Sequence, residues 1–363
     1  MIVIHEELLG GATLSVIRCA PALAKLGWQI AFWAPQPSEV SDHLAAMGHE
    51  VAGAPRPLAY SRQALRISPG ARARLAATPT YLRRFVAHLR QSQADIVHAN
   101  SRTTIAELVA ARAIGRRTVF HLHEIVPRGR KGVLAARAVR RVAHDVIAAS
   151  QATARSWAVG GWSPRVVHEG VEVPTDAPPP PGASPLVVGT VGRISRRKGI
   201  DVFVAAAAIA ADRGLDVTFE IVGAPSDPLD AEWAEGVLAR ARALGIRHRP
   251  RADVWQALRG WDIFVLASRT DPFPIAMLEA MASGRPVIGA RVDGIAEQVT
   301  PDCGVLTQPE DPVALADAIA ALAALPPEGR AELGAAARRR AREFSIERQA
   351  EGLDAAYRRA VLR

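Results

Sequence analysis

Cysteine is nearly absent. Of 363 residues only Cys19 and Cys303 carry a thiol, far apart and with no Cys or His companion at metal-ligand spacing. Neither a disulfide framework nor a zinc site is suggested, and both cysteines read as small buried apolar side chains. No apolar run approaches the roughly 18 residues that would span a bilayer. The opening "MIVIHEELLGG" has neither the basic region nor the long apolar stretch of a signal peptide. The expectation is a soluble, cytoplasmic chain. Aromatic residues are scarce at 5%, and no helix-turn-helix, finger or RNA-binding signature occurs, so nucleic acid is not the expected partner. Asp-x-Asp, the Walker loop and Gly-x-Gly-x-x-Gly are all missing.

Lysine is equally rare, with three in the chain, yet the net charge is +9 and unevenly spread. Residues 1–175 carry 22 Lys/Arg against 11 Asp/Glu, leaving 23 against 25 for residues 176–363. Residues 51–94 hold eight arginines (Arg56, Arg62, Arg66, Arg72, Arg74, Arg83, Arg84 and Arg90) and no acid, and six more cations lie between Arg128 and Arg141. Two readings stand side by side: a solvated arginine-biased surface, or a face toward an anionic partner or membrane leaflet.

At roughly 150 residues per domain the length suggests two domains. Short apolar runs, "QIAFWAP", "DIVHAN", "TVFHLHE" and "DVIAAS", alternate with helical stretches such as "ATLSVIRCAPALAKLG". After "VPTDAPPPPGASP" the rhythm resumes with "LVVGTVG", "VTFEIVG" and "DIFVLAS". Consecutive prolines continue neither a helix nor a central strand, so they mark the boundary. The expected organisation is a domain at 1–175, a linker at 176–185, a second domain at 186–345 and a terminal helix at 346–363 packing back across the junction. Alternating βα units imply an α/β protein with two doubly wound parallel sheets, whose ligands sit beyond the strands' carboxyl ends, in a cleft between the domains.

Two segments then stand out. In "VVGTVGRISRRKGIDVFVAAAAIA" a strand ends at Gly192, and Arg193 and Lys198 precede a helix opening at Gly199 or Ile200. Two cations beside a helix N-terminus suit a di-anion such as a diphosphate; alone, they also fit surface residues around a βα turn. In "RTDPFPIAMLEAMASGRPVIGA" the carboxylates of Asp271 and Glu279 flank an apolar run. Asp271 lies on the approach loop, Glu279 within the helix that Gly284 ends. Such a pair can accept hydrogen bonds from the hydroxyls of a nucleotide sugar held lengthwise; the competing role for Asp271 is to cap the helix.

These motifs, with "GGATLSVIRCAPALAKLGWQI", "IAASQAT", "VVHEGVEV" and the terminal "FSIERQAEGLDAAY", resemble retaining glycosyltransferases of family 4, with the GT-B fold, over nearly the whole chain. The resemblance implies two Rossmann-like domains facing across a cleft and transfer of a hexosyl unit from a UDP- or GDP-sugar to an acceptor hydroxyl. The acceptor would be a glycan, a lipid-linked molecule or a small molecule. It also implies that Asp271 contacts the sugar, Glu279 the ribose, and Arg193 and Lys198 the leaving diphosphate, with Phe273, Pro274 and Ile275 completing the donor site. Gly10 and Gly11 fall on the family's glycine loop. His123 matches the position beside the transferred sugar, with His121 the weaker choice; a core histidine is the alternative for both.

No cofactor is implied, and the missing Asp-x-Asp fits an enzyme without a metal. Contact with the inner face of the plasma membrane through the basic half is a further expectation. The chain departs from the family pattern at three places: Asp271 is one methylene shorter than the usual Glu, Pro274 stands where Gly is frequent, and Glu169 replaces the usual Asn. The last is either a harmless strand-end change or an altered contact. A catalytically silent subunit supporting a partner transferase, and a sugar-nucleotide epimerase, are the competing functions on this fold.

Overall fold

A computed structural model describes residues 1–55, 69–126, 129–176, 180–182, 184–225 and 230–362, with side chains in the helix Pro69–Gln91 described from residue 77. Arg56, Arg62, Arg66 and Arg128, the side chains of Arg72 and Arg74, and part of the proline-rich stretch lie outside the described residues. The chain divides into two compact units, Met1–Glu169 with Ile346–Arg363, and Gly170–Ser345.

The first unit is built on strands β1 (Ile2–Val3), β2 (Ala31–Ala34), β3 (Glu50–Gly53), β4 (Ile96–Ala99), β5 (Arg117–Leu122), β6 (Asp145–Ala148) and β7 (Arg165–Val166). They pair in the order β3-β2-β1-β4-β5-β6-β7, every pair parallel. Helices cover both faces, which is why β4 and β6 are buried along their whole length and read as unbroken apolar runs rather than alternating ones. The strand order reverses between β1 and β4, which makes the carboxyl edge there a topological switch point.

The terminal helix Ile346–Val361 belongs to this first unit. Its Leu353, Ala356 and Tyr357 share a core cluster with Cys19, Val119 and Ile147. Trp28 meets Tyr357 edge-on at 5.1 Å and donates from its indole nitrogen to Asp354 at 2.8 Å. Both cysteines are free and buried.

The second unit repeats the plan with β8 (Leu186–Val191), β9 (Val217–Val222), β10 (Arg247–Arg249), β11 (Ile263–Leu266), β12 (Val287–Ala290) and β13 (Gly304–Thr307). Their order is β10-β9-β8-β11-β12-β13, again all parallel, and it reverses between β8 and β11. Glycine inside β8 has a packing reason: a Cβ on Gly189 would lie 2.0 Å from the buried Trp261 ring. Residues just before the proline-rich stretch pack on this unit. Val171 donates its N–H to the Phe344 carbonyl at 2.9 Å, and Arg338 donates to the carbonyls of Pro174 and Thr175. No described helix is long and apolar enough to cross a membrane.

Candidate functional site

In the second unit the loops leaving β8 and β11 lie side by side at the reversal of strand order. The β8 loop turns on glycines. Gly192 has φ +152° and Gly199 φ +64°, with a single 3-10 turn, Arg196–Lys198, leading into the helix Ile200–Asp212. Gly199 has no room for a side chain, because a Cβ there would sit 1.9 Å from the Ala267 carbonyl oxygen just beyond β11. That close backbone approach holds the two loops in register.

Across it, the Lys198 ammonium reaches Asp271 Oδ2 at 2.6 Å. Arg197 Nη1 lies 3.3 Å from Asp271 Oδ1 and donates to the Thr270 carbonyl at 3.0 Å. Ser268 Oγ donates to Asp271 Oδ2 at 3.2 Å. The Asp271 backbone is fixed as well: its N–H donates to Asp293 Oδ2 at 3.0 Å and its carbonyl accepts from Gly294 at 3.1 Å. Arg269 clamps the base of the loop, forking onto Asp201 at 2.9 Å from both terminal nitrogens and donating from Nε to Glu310 at 2.7 Å.

Burial would raise the Asp271 pKa, but Lys198 and Arg197 overcome it and hold the carboxyl below its ordinary range. Burial also pulls Lys198 below its ordinary value, with Asp271 opposing and Arg197 and Arg193 adding to the fall. At 2.6 Å the two side chains are placed as an ion pair. Arg193 is exposed and, among the described residues, has no hydrogen-bond or ion-pair partner. Two cations therefore contact one carboxylate, with Arg193 near enough to act on Lys198, and the cluster offers net positive charge at the carboxyl edge.

Lys198 and Asp271, assigned by the resemblance to different parts of the donor, are thus a buried ion pair 73 residues apart in sequence. Arg197, which sequence reasoning passed over, is the third member; its only signal was adjacency within "RRK". Asp271 does not cap the helix Ile275–Ala282, whose N-cap is Pro274. Pro274 accepts from Gln298 Nε2 at 3.1 Å through its carbonyl. Phe273 and Ile275 are buried, with Phe273 edge-on to Phe344 at 5.3 Å. Glu279 is buried within the same helix.

In the first unit Gly10 is the N-cap of the helix Gly11–Lys25, and Gly11 is exposed at its start. A Cβ on Gly10 would lie 2.4 Å from a Glu6 carboxylate oxygen, which accepts from Thr13 Oγ1 at 2.6 Å. An acid the sequence reading did not single out therefore covers the glycine loop. His123 follows β5 directly. Its Nδ1 is 2.6 Å from Glu169 Oε1 and its Nε2 is 2.9 Å from Asn100 Oδ1. His121 lies on the same face, its ring 4.0 Å from that of His123. It is wholly buried, and among the described residues neither of its nitrogens has a hydrogen-bond partner.

Burial works against a charge on His123, but Glu169 above all, with Glu124 and Glu6, lifts its pKa above the ordinary value. His121 is driven well below its ordinary value by burial and by the neighbouring His123 and His98. His121, His123 and Glu169 offer ligand atoms within 4.8 Å of one another, near enough to share a metal ion. The 2.6 Å between His123 and Glu169 is instead the distance of a direct ion pair. Two ligands of a tetrahedral ion with bonds of about 2.0 Å stand about 3.3 Å apart.

Two Rossmann-like parallel sheets in one chain, each carrying its polar residues at the carboxyl edge where strand order reverses, define the GT-B fold. The Anabaena protein HepE, solved with UDP-glucose, is similar over 98% of both chains with a TM-score of 0.80 at 22% identity. Sucrose-phosphate synthase from Thermosynechococcus elongatus is similar over 98% of both chains with a TM-score of 0.76 at 22% identity. Residues 9–175 match the family described as Glycosyltransferase Family 4, and residues 185–324 the family described as Glycosyl transferases group 1. The chain belongs to the group 1, family 4 glycosyltransferases. Among curated relatives, D-inositol 3-phosphate glycosyltransferase of Corynebacterium diphtheriae is 32% identical over 181 residues, 47% of this chain and 42% of that protein. The Salinispora tropica protein of the same name is 36% identical over 188 residues, 48% of this chain and 38% of that protein. The match thus spans less than half the length of these relatives.

Proposed function

We propose that the protein transfers a hexosyl unit from a UDP- or GDP-sugar to an acceptor hydroxyl, with retention of anomeric configuration and without a metal ion. The observation that carries this reading is the cationic cluster of Lys198, Arg197 and Arg193 at the switch point of the second sheet. Breaking the anomeric C–O bond to phosphate leaves negative charge on the diphosphate, and preorganised cations stabilise that charge where it develops. The departing phosphate oxygen takes the acceptor proton as the new anomeric C–O bond forms, so no protein base is needed. In this reading Asp271 both holds Lys198 in place and accepts from a sugar hydroxyl, while Glu279 accepts from the ribose.

The fold-level likeness to a protein solved with UDP-glucose supports a nucleotide-sugar donor. The test is thermal stabilisation by UDP- and GDP-sugars after chelator treatment, since a ligand at 100 times its Kd adds about 2.7 kcal/mol. A protein shifted by no nucleotide sugar, or active only with added Mg²⁺ or Mn²⁺, would remove the corresponding half of the proposal. Arg193→Ala is the cleanest variant, because this exposed side chain holds no described part of the fold. Turnover should fall by about 100-fold or more with the melting temperature unchanged.

The basic first unit fits an acceptor that is anionic or carried on an anionic leaflet. The helix Arg130–Val142 exposes Arg130, Lys131, Arg137, Arg140 and Arg141 beside an exposed Leu134. Binding to vesicles rich in anionic lipid should be evident at low ionic strength and weaken with salt; indifference to such vesicles would confine the acceptor to solution.

A further inference from the structure

His123 stands between two acceptors. On one side is the Glu169 carboxylate, 2.6 Å from Nδ1; on the other is Asn100, 2.9 Å from Nε2. The orientation of the Asn100 amide is fixed independently, because its Nδ2 donates to the Ala12 carbonyl at 3.3 Å. The oxygen, an acceptor only, must then be the atom that faces His123. A neutral imidazole has one N–H and would leave one of these contacts as an acceptor against an acceptor; an imidazolium, protonated on both nitrogens, pairs its charge with the carboxylate on one side and donates to the amide oxygen on the other. Burial makes the mismatch expensive, since the His123 and Glu169 side chains are only 9% and 3% exposed.

From this geometry we infer that Glu169 is a positioning residue that keeps His123 doubly protonated and so bars it from acting as a general base. The inference rests on the proposed transferase function and deepens it: the histidine expected beside the transferred sugar contributes as a fixed cation, and proton removal is left to the departing phosphate. Other charged or titratable groups facing His123 come from three strands. Glu6 follows β1, Glu124 follows β5, and His121 and His98 lie on β5 and β4. The two histidines are driven toward the neutral form by burial and by His123 itself, His98 down to about 3, and so set no charge against it. The carboxylates favour the charge, and Glu169 is the one that touches the ring.

The sign of the pH dependence separates this role from that of a base. A general base must lose its proton to work, so activity would rise as pH climbs through its pKa. A histidine needed as a cation gives the opposite: activity is present below the native pKa and falls as pH rises through it. Because that pKa lies above the ordinary value of about 6.5, the fall comes on the alkaline side. The ion pair's share of stability follows the same course, complete below the unfolded value and lost as pH rises through the native one.

The experiment is an NMR titration of the His123 imidazole in the full chain, assigned by comparison with His123→Gln, together with the pH profile of kcat. Wild type should titrate above 6.5 and lose kcat along the same alkaline limb. In Glu169→Gln both midpoints should fall together by about 1–3 pH units, the effect of removing an opposite charge in contact. Glu169→Asp, which keeps the charge, should restore most of the shift. Three results would overturn the inference: a wild-type His123 that titrates below the ordinary value, a midpoint indifferent to Glu169→Gln, or activity rising with pH through that midpoint. The titration needs no substrate, so a protein inactive on every donor would count against the transferase function while the state of His123 was still decided.

Discussion

Lys198→Ala lowers turnover by about 100-fold or more and also destabilises the protein, because the same ammonium serves two purposes. It is one of the preorganised cations available to a leaving diphosphate, and loss of a single such donor typically lowers kcat by about 10²–10³. It is also the buried partner of Asp271 at 2.6 Å. Removing one member of a buried pair leaves the other uncompensated, at a cost of about 3–5 kcal/mol. Arg197, at 3.3 Å, limits that cost. The two effects separate in a double variant: Lys198→Met with Asp271→Asn removes both charges, so stability should largely return while turnover stays low. Urea melts and single-turnover kinetics on the same preparations provide the comparison. Near-normal turnover in Lys198→Ala would take the cationic cluster out of the mechanism. In the wild type, the pair's stabilisation is present above the ordinary aspartate range, near pH 4, and fades as pH falls through the still lower native value of Asp271.

Gly199→Ala should damage the fold and the site together. At φ +64° an L-residue costs about 1–2 kcal/mol, and here the added methyl would also lie 1.9 Å from the Ala267 carbonyl oxygen. Backbone cannot rotate aside as a side-chain end can, so the β8 and β11 loops must separate. The separation adds about 1–3 kcal/mol of overpacking strain and draws Lys198 away from Asp271. Gly214→Ala supplies the control. Gly214 has φ +68° with nothing within 4 Å of the new Cβ, so it incurs the conformational cost alone. Equal denaturation midpoints for the two variants would show that the close approach at Gly199 does not hold the loops.

The fold was legible because its signals are local. "DIVHAN" and "DVIAAS" read as buried strands since a parallel strand covered on both faces is apolar along its whole length, and β4 and β6 are so covered. "IAMLEAMASG" read as a helix stopped at Gly284, and the helix runs Ile275–Ala282 with Gly284 at φ +72°. The site was legible in parts. Lys198 and Asp271 stand out in the sequence as types of chemistry at the ends of strands, yet nothing in the spacing says that they touch. Arg197 went unremarked because one arginine among "RRK" looks like another until the turn directs each side chain: Arg197 toward Asp271, Arg196 over the Trp233 ring at 5.2 Å. Glu169 could be read as a harmless strand-end change, because its partner, His123, follows a different strand.

By itself the sequence determined the period of each element, the turn chemistry between them, the two-unit parallel plan and the residue types at the strands' carboxyl ends, all of which depend on neighbours a few positions away. Only the tertiary structure decided which charges meet: Lys198 with Asp271, His123 with Glu169, and the terminal helix with the core of the first unit. Pairing of that kind depends on strand order. The order is set by how whole sheets bury apolar surface, and it brings together residues tens to hundreds of positions apart.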